Sequence, residues 1–251
     1  MTEKNEKKNI FAPLIIGVCI VAAALSLGWG LAHFRSGVEH TIGATGSASK
    51  DFESDLIVWR GDFTAHAETS QEAYRQLRQD SDAVKRYLSD NGIDESDISF
   101  SSVNIYHTTR DIYDENGNYR GVEYEGYDLS QTVTVSSSNL DEVETVATNI
   151  SSLLASGIQF TSSAPEYYYT KIDDLKLELI EKATENAKQR VDIIANKADA
   201  KIGKLTNSSL GVFQITAMNT GASTYSYDGC LDTTSRMKTA TITVKLLYDL
   251  K

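Results

Sequence analysis

The residues best equipped for metal binding or nucleophilic chemistry are four histidines, His33, His40, His66 and His107, and two cysteines, Cys19 and Cys230. A helical zinc site needs two imidazoles one turn apart beside a general base, and no His-Glu-x-x-His segment occurs. His33 and His40 lie at the end of an apolar run, whereas His66 and His107 fall on separate expected strands and could meet. Alternating strands expose histidines routinely, so no metal site is expected. Cys-x-x-Cys, Gly-x-Ser-x-Gly and Gly-x-x-x-x-Gly-Lys-Ser/Thr are all missing, and no dinucleotide fingerprint follows a strand. Cys19 sits in the apolar run and Cys230 in a distant polar loop, so no disulfide between them is expected; Cys230 is then a free thiol or pairs between chains. Val18 occupies the position where a lipoprotein site needs a small residue, which argues against lipidation of Cys19.

Asp114, Asn116, Gly117 and Glu123 fit the third, fifth, sixth and twelfth positions of a calcium loop. Ile112 would hold the first position and cannot ligate, and the flanks read as strands, so the segment is a hairpin turn. Tyrosine is abundant, with 13 residues that include Tyr167, Tyr168, Tyr169, Tyr225 and Tyr227. Such a cluster can supply recognition area. A strand end with Tyr168 on one face and its neighbours on the other is the simpler account. No catalytic, cofactor-binding or metal-ligating residue, and no cofactor, is assigned.

The uncharged run from Ile10 to Ala32 would span ~35 Å as a helix, against a hydrocarbon core of ~30 Å. Lys4, Lys7 and Lys8 precede it, which directs the N-terminus to the cytoplasm and the body across the membrane. The run is longer than the core of a cleavable signal, so an uncleaved anchor is expected, although the Gly30-Leu-Ala32 step offers a small-x-small cleavage site. Residues up to Arg35 hold four basic and two acidic side chains, leaving 20 basic against 33 acidic in the rest, a net charge of −13. A body of that sign repels phosphate backbones, and nucleic-acid binding is not expected.

The resulting plan is an α+β protein. Residues 1–9 form a cytoplasmic head, 10–34 the transmembrane anchor, and 35–54 a juxtamembrane segment with a first strand at 38–45. A unit at 55–170 reads strand 56–65, a helix capped by Thr69 or Ser70 and closed by Asn91-Gly92, strands 98–113 and 119–136, a helix from Asn139 to Gly157, and strand 158–169. This is the β-α-β-β-α-β order of a ferredoxin-like unit. In the first helix Tyr74, Leu77, Val84 and Leu88 recur at helical spacing. A second part, 171–251, carries a long helix from Ile172 to Ala200 with a stripe of Leu175, Leu179, Ala183, Ala187, Val191, Ile194 and Ala198. That helix exceeds ~40 Å, more than a small sheet covers, and an overhang would suit a second subunit. One or two strands at 202–217 follow, with a breakpoint near Ser208-Ser209. Alternation of Thr239, Thr241 and Thr243 against Ala240, Ile242 and Val244 marks a final antiparallel strand.

Several segments, in order, carry a family resemblance: Gly46-Ser-Ala-Ser-Lys-Asp51, the strand from Tyr127 to Val135, the helix from Leu140 to Leu154, Ser156-Gly-Ile-Gln-Phe160, the helix segment from Ala183 to Ala195, and Lys201-Ile-Gly-Lys-Leu205. On these the chain resembles the SIMPL family of bacterial envelope proteins, from about Thr41 to the C-terminus. It departs from the family where Glu53-Ser54-Asp55 replaces a usual proline. The resemblance implies a two-part α+β fold, a periplasmic location, assembly into homo-oligomers and, in some relatives, a link to oxidative-stress defence. It implies no established enzymatic activity. The expected function is a non-enzymatic, membrane-anchored scaffold or binding module; the alternatives are an envelope enzyme using Cys230 or a strand histidine, and a ligand or peptide binder using the tyrosine-rich surface.

Overall fold

The computed structural model describes residues 11–35, 40–220, 226 and 228–251, without the side chains of 11–14 and 31–35. The head at 1–9, Val38, Tyr225, Tyr227 and the side chain of His33 lie outside the described residues. Helix α1 (Phe11–Arg35) has 25 residues, with Pro13 in its first turn, where a missing N–H does no harm. Its described side chains, 15–30, are all exposed. Among the described residues no helix is long and apolar enough to cross a membrane; in α1 the stretch with described side chains is shorter than the ~20 residues a span needs.

One antiparallel sheet contains β2 (Leu56–Ala67), β3 (Ile98–Phe100), β4 (Asn104–Tyr113), β5 (Tyr119–Ser137), β6 (Gln159–Ser162) and β7 (Glu166–Tyr168). β2 and β5 are central, paired from Ile57↔Ser137 to Ala67↔Tyr127. β3 and β4 succeed one another along β5, and β6 and β7 along β2. With each broken pair taken as one strand, this is the split βαβ order that the sequence suggests. Strand 158–169 is broken because Pro165 has no N–H for the ladder. Strand 98–113 is broken at Ser101, whose N–H donates to the Thr132 carbonyl while its hydroxyl, in place of a backbone carbonyl, accepts from the Thr132 N–H.

Helices α2 (Ser70–Asp90), α3 (Leu140–Asn149) and α4 (Ser152–Ala155) cover one face, where Trp59, Phe63, Leu129 and Val133 meet Leu77, Leu88 and Val143. Thr69 caps α2, its hydroxyl accepting from the Glu72 N–H at 3.3 Å, and Gly92 takes the left-handed φ of 94° after the helix. The inward face of α2 uses Ala73; Tyr74, which the spacing places inside, is 48% exposed.

The second sheet joins distant segments. β1 (Thr41–Glu53) pairs with β10 (Met237–Leu250) at every position from Thr41↔Asp249 to Glu53↔Met237. β8 (Ile202–Leu210) and β9 (Gln214–Ala217) flank β10. The first strand is thus longer than 38–45, and the break between β8 and β9 falls at 211–213, not at Ser208-Ser209. Helix α5 (Ile172–Lys197) buries Leu175, Leu179, Ala183, Ala187, Val191 and Ala195. A strict spacing of four puts Ala195 inside and leaves Ile194 46% exposed, against the stripe read from sequence. At ~1.5 Å per residue α5 is ~39 Å long, and β1 at ~3.3 Å per residue is ~43 Å. The sheet matches its helix, so the overhang that suggested a subunit contact is not there. Lys50 on β1 and Lys182 on α5 both bond Glu178, at 2.6 and 2.7 Å, and with Lys182 the stronger cause they hold its carboxyl down at about 2.

Candidate functional site

The two strand histidines do not meet. β5 separates them: His66 pairs with Asp128 and His107 with Tyr127, adjacent residues that face opposite sides of the sheet. His66 Nδ1 lies 2.6 Å from Asp128 Oδ1, while Asp128 Oδ2 accepts from the Thr108 hydroxyl at 2.8 Å. The Thr108 bond first, then His66, holds the Asp128 carboxyl below its usual range. This is a surface array with His66 and Asp128 half exposed. Both of its carboxylate oxygens are already engaged, and among the described residues no serine or cysteine hydrogen-bonds His66. Cys19 and Cys230 are free. Cys230 lies on the loop against β9, where its carbonyl accepts from the Ile215 N–H, and among the described residues no bond joins its thiol to a histidine. Among the described residues no group of three His, Cys, Asp or Glu side chains could hold a metal.

The junction between the two sheets holds a polar cluster built around Arg236. Arg236 reaches Glu53 at 2.7 Å, Asp141 at 2.5 Å and Glu144 at 3.3 Å, tying the start of β10 to β1 and α3. The Tyr167 hydroxyl donates to Glu144 at 2.8 Å, and burial plus that carboxylate push it up to about 12. Tyr169 packs on Phe52 with ring centroids 4.7 Å apart, and Tyr168 bonds Glu166. The tyrosine triplet is therefore largely joinery, as an alternating strand end requires. Beside it Lys238, only 2% exposed, donates to the Asp232 carbonyl. Asp232 Oδ2, buried and without a hydrogen-bond partner, lies 3.9 Å away.

Beyond the far end of β2 the sheet continues as a two-stranded ribbon of β4 and the first part of β5. At its tip the Asp114 carboxylate accepts from the Asn116 and Asn118 N–H groups at 3.0 and 2.8 Å, and Gly117 adopts φ 79°, a hairpin turn as read from sequence. A bulge between Thr108↔Gly126 and Thr109↔Tyr124 leaves Glu125 unpaired. That extra residue switches the alternation of β5, so Tyr124 and Val122 join Ile105, His107 and Tyr127 on the helix-side face. A second shift, between Ile112↔Gly121 and Tyr113↔Tyr119, brings Tyr119 to the same face beside Tyr113. Among the described residues no helix covers them there: Ile105, Tyr113, Tyr119, Val122 and Tyr124 are 49–58% exposed. His107, Tyr124 and Tyr127 form a ring cluster, with centroids 4.7 to 6.2 Å apart. Arg110 is held by Glu123 and Glu125 on the other side, and Arg120 by Asp114. Sequence reading missed this ledge. The signal was length: strands expected at 98–113 and 119–136 outrun the 56–65 strand they pair beside, so their ends must project.

A further concavity of about 700 Å³ opens at the break between β8 and β9, lined by Val212, Gln214, Ser226, Asp228, Thr241 and Thr243. Gln214 is fixed there by two bonds to the Ser226 backbone.

The profile of the SIMPL family, described as a protein of unknown function (DUF541), matches residues 42–245. That span runs from β1 to β10 and takes in both sheets, while α1 lies outside it. No curated protein matches the chain. With the match covering well over half of its length, the chain belongs to the SIMPL family.

Proposed function

We propose that this SIMPL protein is a non-enzymatic assembly and binding module, held at the membrane by α1 with its body on the extracytoplasmic side. The observation that carries the reading is α1: Ile15, Ile16, Val18, Ile20, Val21, Leu25 and Leu27 are 57–69% exposed. Transferring seven such side chains from water into hydrocarbon is worth on the order of 10 kcal/mol. The helical backbone extends to 25 residues, which is ~37 Å and sufficient for a bilayer core. Lys4, Lys7 and Lys8 ahead of it favour a cytoplasmic N-terminus. Assembly and a role in envelope stress defence are what family membership suggests for the body. The bare ledge on β4 and β5 supports the first of these. The concavity at 211–213 favours a second reading, a small-ligand binder.

The anchor is tested by extracting membranes at alkaline pH. The full chain is expected to stay with the lipid, and a chain starting at residue 36 to leave it. Release of the full chain would remove the anchor from the account.

A further inference from the structure

We propose that the helix-side ledge of the β4–β5 ribbon is the surface through which two copies of this chain pack on each other. The contact presupposes the assembly reading above and names where it occurs. Three tyrosines of ~150–250 Å² each, about half exposed, together with Ile105 and Val122, leave on the order of 500 Å² of apolar surface per copy. That is a patch of the size that marks an interaction site on a monomer. It also approaches the ~800 Å² that each partner contributes to a stable interface.

A second copy fits this surface better than a partner selected by charge. Arg110 and Arg120 are neutralised inside the ribbon by Glu123, Glu125 and Asp114, so no free cation is offered to an acidic chain. Alternation along β4 puts Ile105, His107, Thr109, Asp111 and Tyr113 on the ledge side, so Asp111 is the one charge that β4 contributes there. A two-fold axis sets this tyrosine-rich face against itself, with the two layers ~10 Å apart and Asp111 standing across the ribbon from Val122. Copies anchored through α1 share one orientation relative to the bilayer, which brings their ledges to the same height. The bulge at Glu125 is then a working part, because without it Tyr124 and Val122 would turn to the opposite face.

The test uses the full chain in detergent. Val122→Thr combined with Tyr124→Thr keeps strand-compatible side chains and is expected to cut the protein mass from light scattering at least to half, with the circular dichroism unchanged. In a chain with Cys19→Ser and Cys230→Ser, Val122→Cys is expected to form a disulfide-linked dimer on oxidation, and Arg110→Cys, on the other side of the ribbon, is not. A wild-type chain that is itself monomeric would overturn the assembly reading and this contact together. An oligomer whose mass the threonine variant leaves unchanged, or equal cross-linking at both positions, would overturn the ledge alone.

Discussion

Replacing Gly46 by alanine is expected to destabilise the protein by about 3 kcal/mol and to lower its melting temperature by roughly 10 °C. A β-carbon at Gly46 would stand 2.2 Å from the Ala183 carbonyl oxygen and 2.3 Å from the Ala187 nitrogen. Both atoms belong to the backbone of α5, so no side-chain rotation relieves the overlap. The helix would have to lift from β1, loosening Leu179, Ala183 and Ala187 from Ala240, Ile242 and Val244 in the same core. Thr45→Ala, one residue away and exposed, is expected to change stability by less than ~0.5 kcal/mol. Thermal and urea unfolding of both variants checks this. Wild-type stability for Gly46→Ala would contradict the close approach of helix and strand.

Lys238→Met is expected to cost about 3 kcal/mol, the usual scale for removing one partner of a buried charge pair. The methionine would fill the space of the lysine stem but lose its bond to the Asp232 carbonyl, and it would leave the Asp232 carboxylate without its cation. Adding Asp232→Ala to Lys238→Met should recover at least ~1 kcal/mol, since the stranded charge is then gone. Burial holds the Lys238 amine below its ordinary 10.5, with Asp232 acting the other way. A lysine whose folded pKa is depressed costs stability while protonated, and the cost fades as pH rises from that value toward 10.5. The parent should therefore gain stability over that alkaline interval, and Lys238→Met should lose the gain. Additive single and double variants would show that the two residues are not coupled.

The fold was legible wherever one local pattern decided it. The Thr/apolar alternation at 239–244 marks β10, Thr69 and Gly92 bracket α2, and Asp114 to Asn118 marks the hairpin. The partner of β10 was not legible. β1 is made of Gly, Ala, Ser and Thr, and its strand character comes from pairing with a segment almost two hundred residues away. Gly46 stood out as part of a family segment, yet its reason is the α5 backbone above it, which no spacing reveals. In α5 the choice of Ala195 over Ile194 follows from the packing angle on the sheet, and both fit a helical stripe. The ledge was hidden by its bulge, because strict alternation assigns Tyr124 to the polar side. Lys238 broke the pattern outright, as a charge at a core position of β10.

The claim on which the functional account depends is the placement of the body across the membrane from residues 1–9. Fusing a phosphatase that folds only outside the cytoplasm, and separately a fluorescent protein that matures only inside it, to Lys251 measures this directly. An active phosphatase and a dark fluorescent protein are expected. A fluorescent fusion with an inactive phosphatase would contradict it.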